Sequence, residues 1–197
     1  MKQKPVAPAC ERNREPILQV INPVFSNSTQ LLEIGSGTGE HGVYFAKKMP
    51  WLTWQCSDVN ENLEGINLWI EETQLDNLPT ALELDVSSTI ITQQYDAFFT
   101  ANSLHIMSEK SVVDFFILLA KLAKEKSDLV IYGPFNYNGK FTSESNANFE
   151  LWLKQRDLRS GIRNFEWIVE LANSAKFHLV NDYTMPANNR CLHFSNK

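Results

Sequence analysis

The chain has 197 residues, 43% of them hydrophobic, which is enough to bury one substantial core, and no Pro/Gly/Ser-rich linker or charge block divides it. A net charge of −5 at pH 7, with no Lys/Arg cluster interleaved with aromatics, argues against extended nucleic acid and for a small-molecule partner. Cys10, Cys56 and Cys191 are odd in number and lack a C-x-x-C spacing, the N-terminus has no apolar leader core, and no run approaches the roughly 18 apolar residues of a membrane span, so reduced thiols in the cytoplasm are expected, with no disulfide framework, zinc site or membrane anchor.

The first predicted element is a helix around 15–25, inside an N-terminal segment, residues 1–28, placed to cover a ligand. A strand at 30–34 follows and runs into Leu31-Leu-Glu-Ile-Gly-Ser-Gly-Thr-Gly39, leading directly to a helix at about 40–48. Glycines 35, 37 and 39 let the chain turn sharply and let a ligand lie almost against the backbone at a helix N-terminus. A dinucleotide turn would place its third glycine at position 40, which is Glu, so the spacing disfavours a pyrophosphate. Glu33, two residues before Gly35, adds a carboxylate suited to a cationic or hydroxyl-bearing ligand, and S-adenosylmethionine carries the required ammonium. The alternative is a tight loop with no ligand. His41, after the turn, either touches the methionine end or faces solvent.

A strand at 52–57 ends near Asp58, which follows Gly39 by 19 residues, close to the spacing at which an acid meets ribose hydroxyls. Asp58 also suits the N-cap of the helix predicted at about 61–73. A short strand at 80–84 leads to Asp85, either an acceptor for an adenine amino group or a loop residue. Strands at 95–101 and 128–132 flank a helix at 109–124 whose Val, Phe and Leu residues form a broad core face. Helices near 146–157 and 164–174 precede two final strands, 177–183 and 190–195, joined as a hairpin through Met185-Pro-Ala-Asn-Asn189. Alternating strands and helices imply a parallel open sheet sandwiched by helices, an α/β architecture. Gly35, Asp58, Asp85, Asn102 and Tyr132 would gather beyond its C-terminal strand edge. His178 and His193 lie in strand patterns and suggest no metal.

Glu33, the turn Gly35-Ser36-Gly37-Thr38-Gly39, Asp58 and Asp85, in this order, resemble the motifs of class I S-adenosylmethionine-dependent methyltransferases. Glu11-Arg-Asn-Arg-Glu-Pro-Ile-Leu18, Ala101-Asn-Ser-Leu-His-Ile106, Tyr132-Gly-Pro-Phe135, Ser145-Asn146, Arg156-Asp157, Gly161-Ile-Arg163 and Met185-Pro-Ala-Asn-Asn189 are similar to the methyltransferase-like 26 family, over nearly the whole chain. The resemblance implies a Rossmann-like, seven-stranded, mostly parallel sheet with helices on both faces. It also implies a glycine turn that holds the methionine part, Asp58 on ribose and Asp85 near adenine, and it leaves the acceptor undefined.

Methyl transfer from a sulfonium needs orientation of the acceptor and exclusion of water more than it needs a base. If a proton must be taken, His105 beside Asn102 is the candidate, because an imidazole titrates near neutral pH; capping or packing of its loop is the alternative. Arg12, Asn13 and Arg14 on the N-terminal segment, with Arg156, Arg163 and Arg190, suggest an anionic acceptor, although a single arginine is usually a surface or ion-paired group. Tyr132, Phe135 and Tyr137 clasp an acceptor or fill the sheet edge, and Asn188 joins them from the hairpin turn. A monomer or homodimer is expected. Rival functions are a non-catalytic cofactor-binding regulator, a methyltransferase acting on protein or RNA, and, more weakly, a nicotinamide oxidoreductase.

Overall fold

The computed structural model describes residues 4–89 and 91–197; residues 1–3, where the expected leader-free N-terminus begins, lie outside the described residues. In chain order the elements are α1 (Pro8–Val24), β1 (Gln30–Ile34), α2 (Glu40–Lys48), β2 (Thr53–Asp58), α3 (Asn60–Thr73), β3 (Leu82–Glu83), β4 (Tyr95–Ala101), α4 (Glu109–Leu122), β5 (Ala123–Gly133), β6 (Phe135–Asn136), α5 (Glu144–Arg156), β7 (Arg163–Asn164), α6 (Phe165–Ser174), β8 (His178–Thr184), a 3-10 turn (Pro186–Asn188) and β9 (Arg190–Ser195). Seven strands form one sheet in the order β3-β2-β1-β4-β5-β9-β8. The first five run parallel, and β9 is antiparallel to both β5 and β8, giving the expected C-terminal hairpin. No helix among the described residues is long and apolar enough to cross a membrane.

Strand side chains alternate between the two faces, and the sheet's neighbours follow that parity. Leu32, Ile34, Phe98, Leu129 and Ile131 pack against Phe115, Leu119 and Ile168 of α4 and α6. Leu31, Ala97, Phe99 and Val130 face the other layer, where α1, α2 and α3 contribute Ile17, Ile21, Phe45 and Ile66. The order reverses on either side of β1, so a crevice opens between the C-terminal ends of β1 and β4.

Several elements depart from expectation. The first helix begins at Pro8, seven residues early, because a proline fits the first helical position, and it continues through Pro16 since buried Asn13, Ile17 and Ile21 anchor it. The third strand pairs only two residues, as an edge strand with one neighbour. α4 ends at Leu122 and β5 starts at once, with an irregularity before Asp128 that includes Lys126 at φ +64°. The small parallel ladder of β6 and β7 was not expected from the sequence.

Candidate active site

The turn after β1 is held by its backbone. Gly35 and Ser36 N–H both donate to Ser57 O at 3.0 Å, and Gly39 N–H closes the turn on Ser36 O at 2.9 Å. Gly35, Gly37 and Gly39 have φ of +76°, +59° and +87°. A Cβ on Gly35 would come within 2.5 Å of Ser103 Oγ, whereas one on Gly37 would meet nothing within 4 Å. The backbone at Gly37 therefore faces open space, which is the cradle a nucleoside ligand needs.

Asp58, 8% exposed, lies at the tip of β2. Its Oδ2 accepts from Gly37 N–H at 2.7 Å, and its Oδ1 accepts from Val59 N–H at 2.8 Å and Asn62 Nδ2 at 2.9 Å. Asp58 is not the N-cap the sequence allowed, because the cap position falls to Val59 with no side-chain cap hydrogen bond; the carboxylate instead holds Val59 N–H and Asn62 at the start of α3 and faces the glycine turn. Asn62, one helical turn beyond Asp58, is a positioning residue the sequence reading passed over; the i,i+4 spacing was its signal. Asp85 is exposed, in the loop after β3, and its Oδ1 accepts from Ser87 N–H at 2.9 Å. Asn102 takes φ +59°, a conformation Asn tolerates, and its N–H donates to Tyr132 O at 2.9 Å. Next to it, Ser103 Oγ donates to Gly35 O at 3.2 Å, so the loops after β1 and β4 touch across the crevice.

Glu33 is not where the sequence reading put it. Strand parity turns it beneath α2, 1% exposed, where its Oε2 accepts from Trp54 Nε1 at 2.8 Å and from the Cys56 thiol. Burial raises its pKa, so it braces the turn from below and offers no exposed carboxylate to a ligand. Gly42 lets α2 approach that closely, because a Cβ there would collide with Cys56 Sγ.

The N-terminal segment lies across α2 and α3. Pro5 O accepts from Trp69 Nε1 at 2.8 Å, Ala7 N–H donates to Glu40 Oε2 at 2.6 Å, and Lys4 pairs with Glu72 at 2.6 Å. Asn13, buried in α1, accepts from His41 Nε2 at 2.7 Å, and Asn13 and Asn189 both hydrogen-bond the Tyr132 phenol. His41 therefore does not face solvent. It is 5% exposed, and burial lowers its pKa to about 4.

On the acceptor side, several expectations are corrected. His105 is 6% exposed, and burial, then Arg163, lowers its pKa to about 4, so it does not titrate near neutral pH. Arg163, 5% exposed, donates to the carbonyls of Leu104, Met107 and Arg159, and thus staples the loop after β4 instead of meeting an acceptor. Phe135 is 2% exposed within the α4–α6 core. Arg190 pairs with Asp182 at 2.7 Å, and Tyr137 donates to the same carboxylate. Arg14 lies over the Tyr44 ring and Arg156 over Trp152, while Arg12 is exposed on α1. Asn188 Nδ2 donates to Ser145 Oγ at 3.1 Å, tying the hairpin turn to the start of α5. Among the described residues no group of His, Cys, Asp and Glu is arranged to hold a metal ion.

The sequence pattern of a family described as "Protein of unknown function (DUF938)" matches residues 4–196. The fold is similar to that of an O-methyltransferase family protein from Burkholderia thailandensis, with TM-score 0.84 and 16% identity, covering 96% of this chain and 57% of that one. It is also similar to mitomycin 7-O-methyltransferase MmcR (TM-score 0.76, 16% identity, 95% and 58% covered). A third similar structure is the S-adenosylmethionine-dependent methyltransferase SibL (0.74, 18%, 94% and 57%). The chain spans a little over half the length of these structures, and at such identities the likeness establishes the Rossmann-like methyltransferase fold.

Proposed function

Because the chain belongs to the DUF938 family of proteins of unknown function, its own site chemistry must indicate its activity, and on that chemistry we propose an S-adenosylmethionine-dependent methyltransferase acting on a small-molecule acceptor. The observation that carries the proposal is the open, left-handed glycine turn facing Asp58 at the switch point of a methyltransferase fold. The nearer likeness to methyltransferase-like 26 proteins, on the motifs around Asn102, Arg156 and Arg163, belongs to the same proposal.

In this reading the backbone of Gly35, Ser36, Gly37 and Gly39 holds the methionine part, His41 lies at that end, Asp58 accepts from the ribose hydroxyls, and Asp85 and Asn102 flank the base. When bound, the cofactor supplies an electrophilic methyl group on a sulfonium. The chain's own task is then to orient the acceptor and keep water out. Tyr132, fixed by Asn13 and Asn189, and His105, kept neutral, supply hydrogen bonds to an acceptor without fixed charge. A neutral His105 is a weak base, so the acceptor's proton does not depend on it. Since Arg163 and Arg190 are engaged within the protein, a neutral acceptor suits the site better than an anionic one.

Calorimetric titration tests the proposal. Wild type is expected to bind S-adenosylmethionine at low-micromolar Kd, about −8 kcal/mol. Asp58→Ala is expected to weaken binding at least tenfold, since removing one partner of a charge-assisted hydrogen bond costs about 1.5–3 kcal/mol. Unchanged affinity in the variant would remove the ribose role.

A further inference from the structure

Between the first turns of α4 and α6 lies a cleft of about 390 Å³, lined by Glu109, Ile162, Arg163, Asn164 and Trp167. That volume suits a small ligand, and no residue of the glycine turn lines it, so it is a space apart from the crevice. Arg163 forms part of its wall while only 5% exposed. Its Nε donates to Leu104 O and its Nη2 to the carbonyls of Met107 and Arg159, which leaves Nη1 outside the staple. Among the described residues Nη1 meets only Glu109 Oε1, at 3.6 Å, too long for a hydrogen bond, and that side chain is 77% exposed.

We propose that this cleft binds a small monocarboxylate with an apolar body, the carboxylate on Arg163 Nη1 and the start of α6, the body against Ile162 and Trp167. A guanidinium taken out of water needs a counter-charge in contact, and Glu109 supplies only a loose one. Burial accordingly lowers the Arg163 pKa, and Glu109 and Glu150 offset only part of that. The N-cap of α6, Asn164, makes no side-chain cap hydrogen bond, so the N–H groups at the positive end of that helix lack a side-chain cap. A monoanion fits better than a phosphate dianion, because Arg163 has one nitrogen left to offer while Glu109, Glu150 and Glu166 stand around it. The other cations nearby are engaged, Lys154 with Glu150 and Arg159 with Asp157. The apolar body follows from Ile162, 7% exposed, and the part-buried Trp167 ring. Glu109 then occupies the anion's place as a tethered carboxylate that the ligand displaces.

The isotope-labelled full chain is titrated with benzoate, benzyl alcohol and inorganic phosphate while its amide and indole signals are followed by NMR. Benzoate is expected to shift the Trp167 indole and the first-turn amides of α6 saturably, and to bind more tightly than the other two. Glu109→Gln should tighten benzoate roughly threefold, because it removes the competing carboxylate. Asn164→Asp puts a negative charge at the helix start, yet aspartate caps as well as asparagine. It should weaken benzoate roughly threefold or more without lowering the urea midpoint. No saturable shift at α6, tighter binding of phosphate or benzyl alcohol, or a benzoate affinity in either variant equal to that of wild type would each overturn the site.

Discussion

Two glycines two residues apart have different duties. Gly35 is pressed against Ser103, so a methyl group there meets both a steric wall and a left-handed φ; Gly37 shares the φ but faces empty space. Gly35→Ala is accordingly expected to destabilise the fold by more than 1 kcal/mol, the strain of an alanine at positive φ plus the collision. Gly37→Ala should cost only about 1 kcal/mol of stability while weakening S-adenosylmethionine at least tenfold, because its methyl fills the cradle. Urea unfolding and calorimetric titration of both variants separate the two effects, and a Gly37→Ala chain with unaltered affinity would show that no ligand approaches the turn. The glycine spacing and Asp58 were legible in the sequence because their work is done by backbone shape and a fixed separation. Glu33, Phe135 and Arg163 were not. Their partners, such as Trp54 for Glu33 and Leu104 for Arg163, lie far away in sequence, and only the folded chain decides whether a side chain points at a ligand or into the protein.

Among the elements, α4 and α5 have the same kind of start and different surroundings. Ser108 Oγ accepts from Ser111 N–H and Ser143 Oγ from Asn146 N–H, both at 3.1 Å, and both serines cap their helices. α4 buries six residues in the core, whereas α5 buries two. Ser108→Ala should therefore lower global stability by about 1 kcal/mol in urea unfolding. Ser143→Ala should shift the global midpoint much less and instead speed amide hydrogen exchange within 144–156, since a weakly packed helix opens locally before the whole chain unfolds. An equal midpoint shift in both would place α5 in the same cooperative unit as α4. Most element positions followed from hydrophobic period and the glycine turn. The early start of α1 escaped because Pro16 falls inside the helix, where a proline is disfavoured, and buried neighbours carry the helix through it.

For the whole molecule, the two buried histidines set an acid limit. His41 and His105 titrate near 4 in the folded chain against an ordinary 6.5, so between those values the unfolded chain binds more protons. Stability is then complete above about pH 6.5 and falls as pH drops toward 4. The melting temperature should be level from pH 8 to 7 and decline below 6.5; His105→Gln should flatten part of that decline, and His178→Gln, at an exposed position, should not. Matching slopes in all three proteins would mean the buried imidazoles are not the source. The sequence alone determined the alternation of strands and helices, the hairpin at the end, the glycine turn and the acid after the second strand, because each is written in local period, turn chemistry or fixed spacing. Only the tertiary structure decided which polar groups face the crevice, that Arg163 and Arg190 are engaged within the protein, that burial keeps His41 and His105 neutral, and that His105 meets the Phe149 ring of α5. Burial, charge state and ring contact all depend on which distant residues the sheet order brings together.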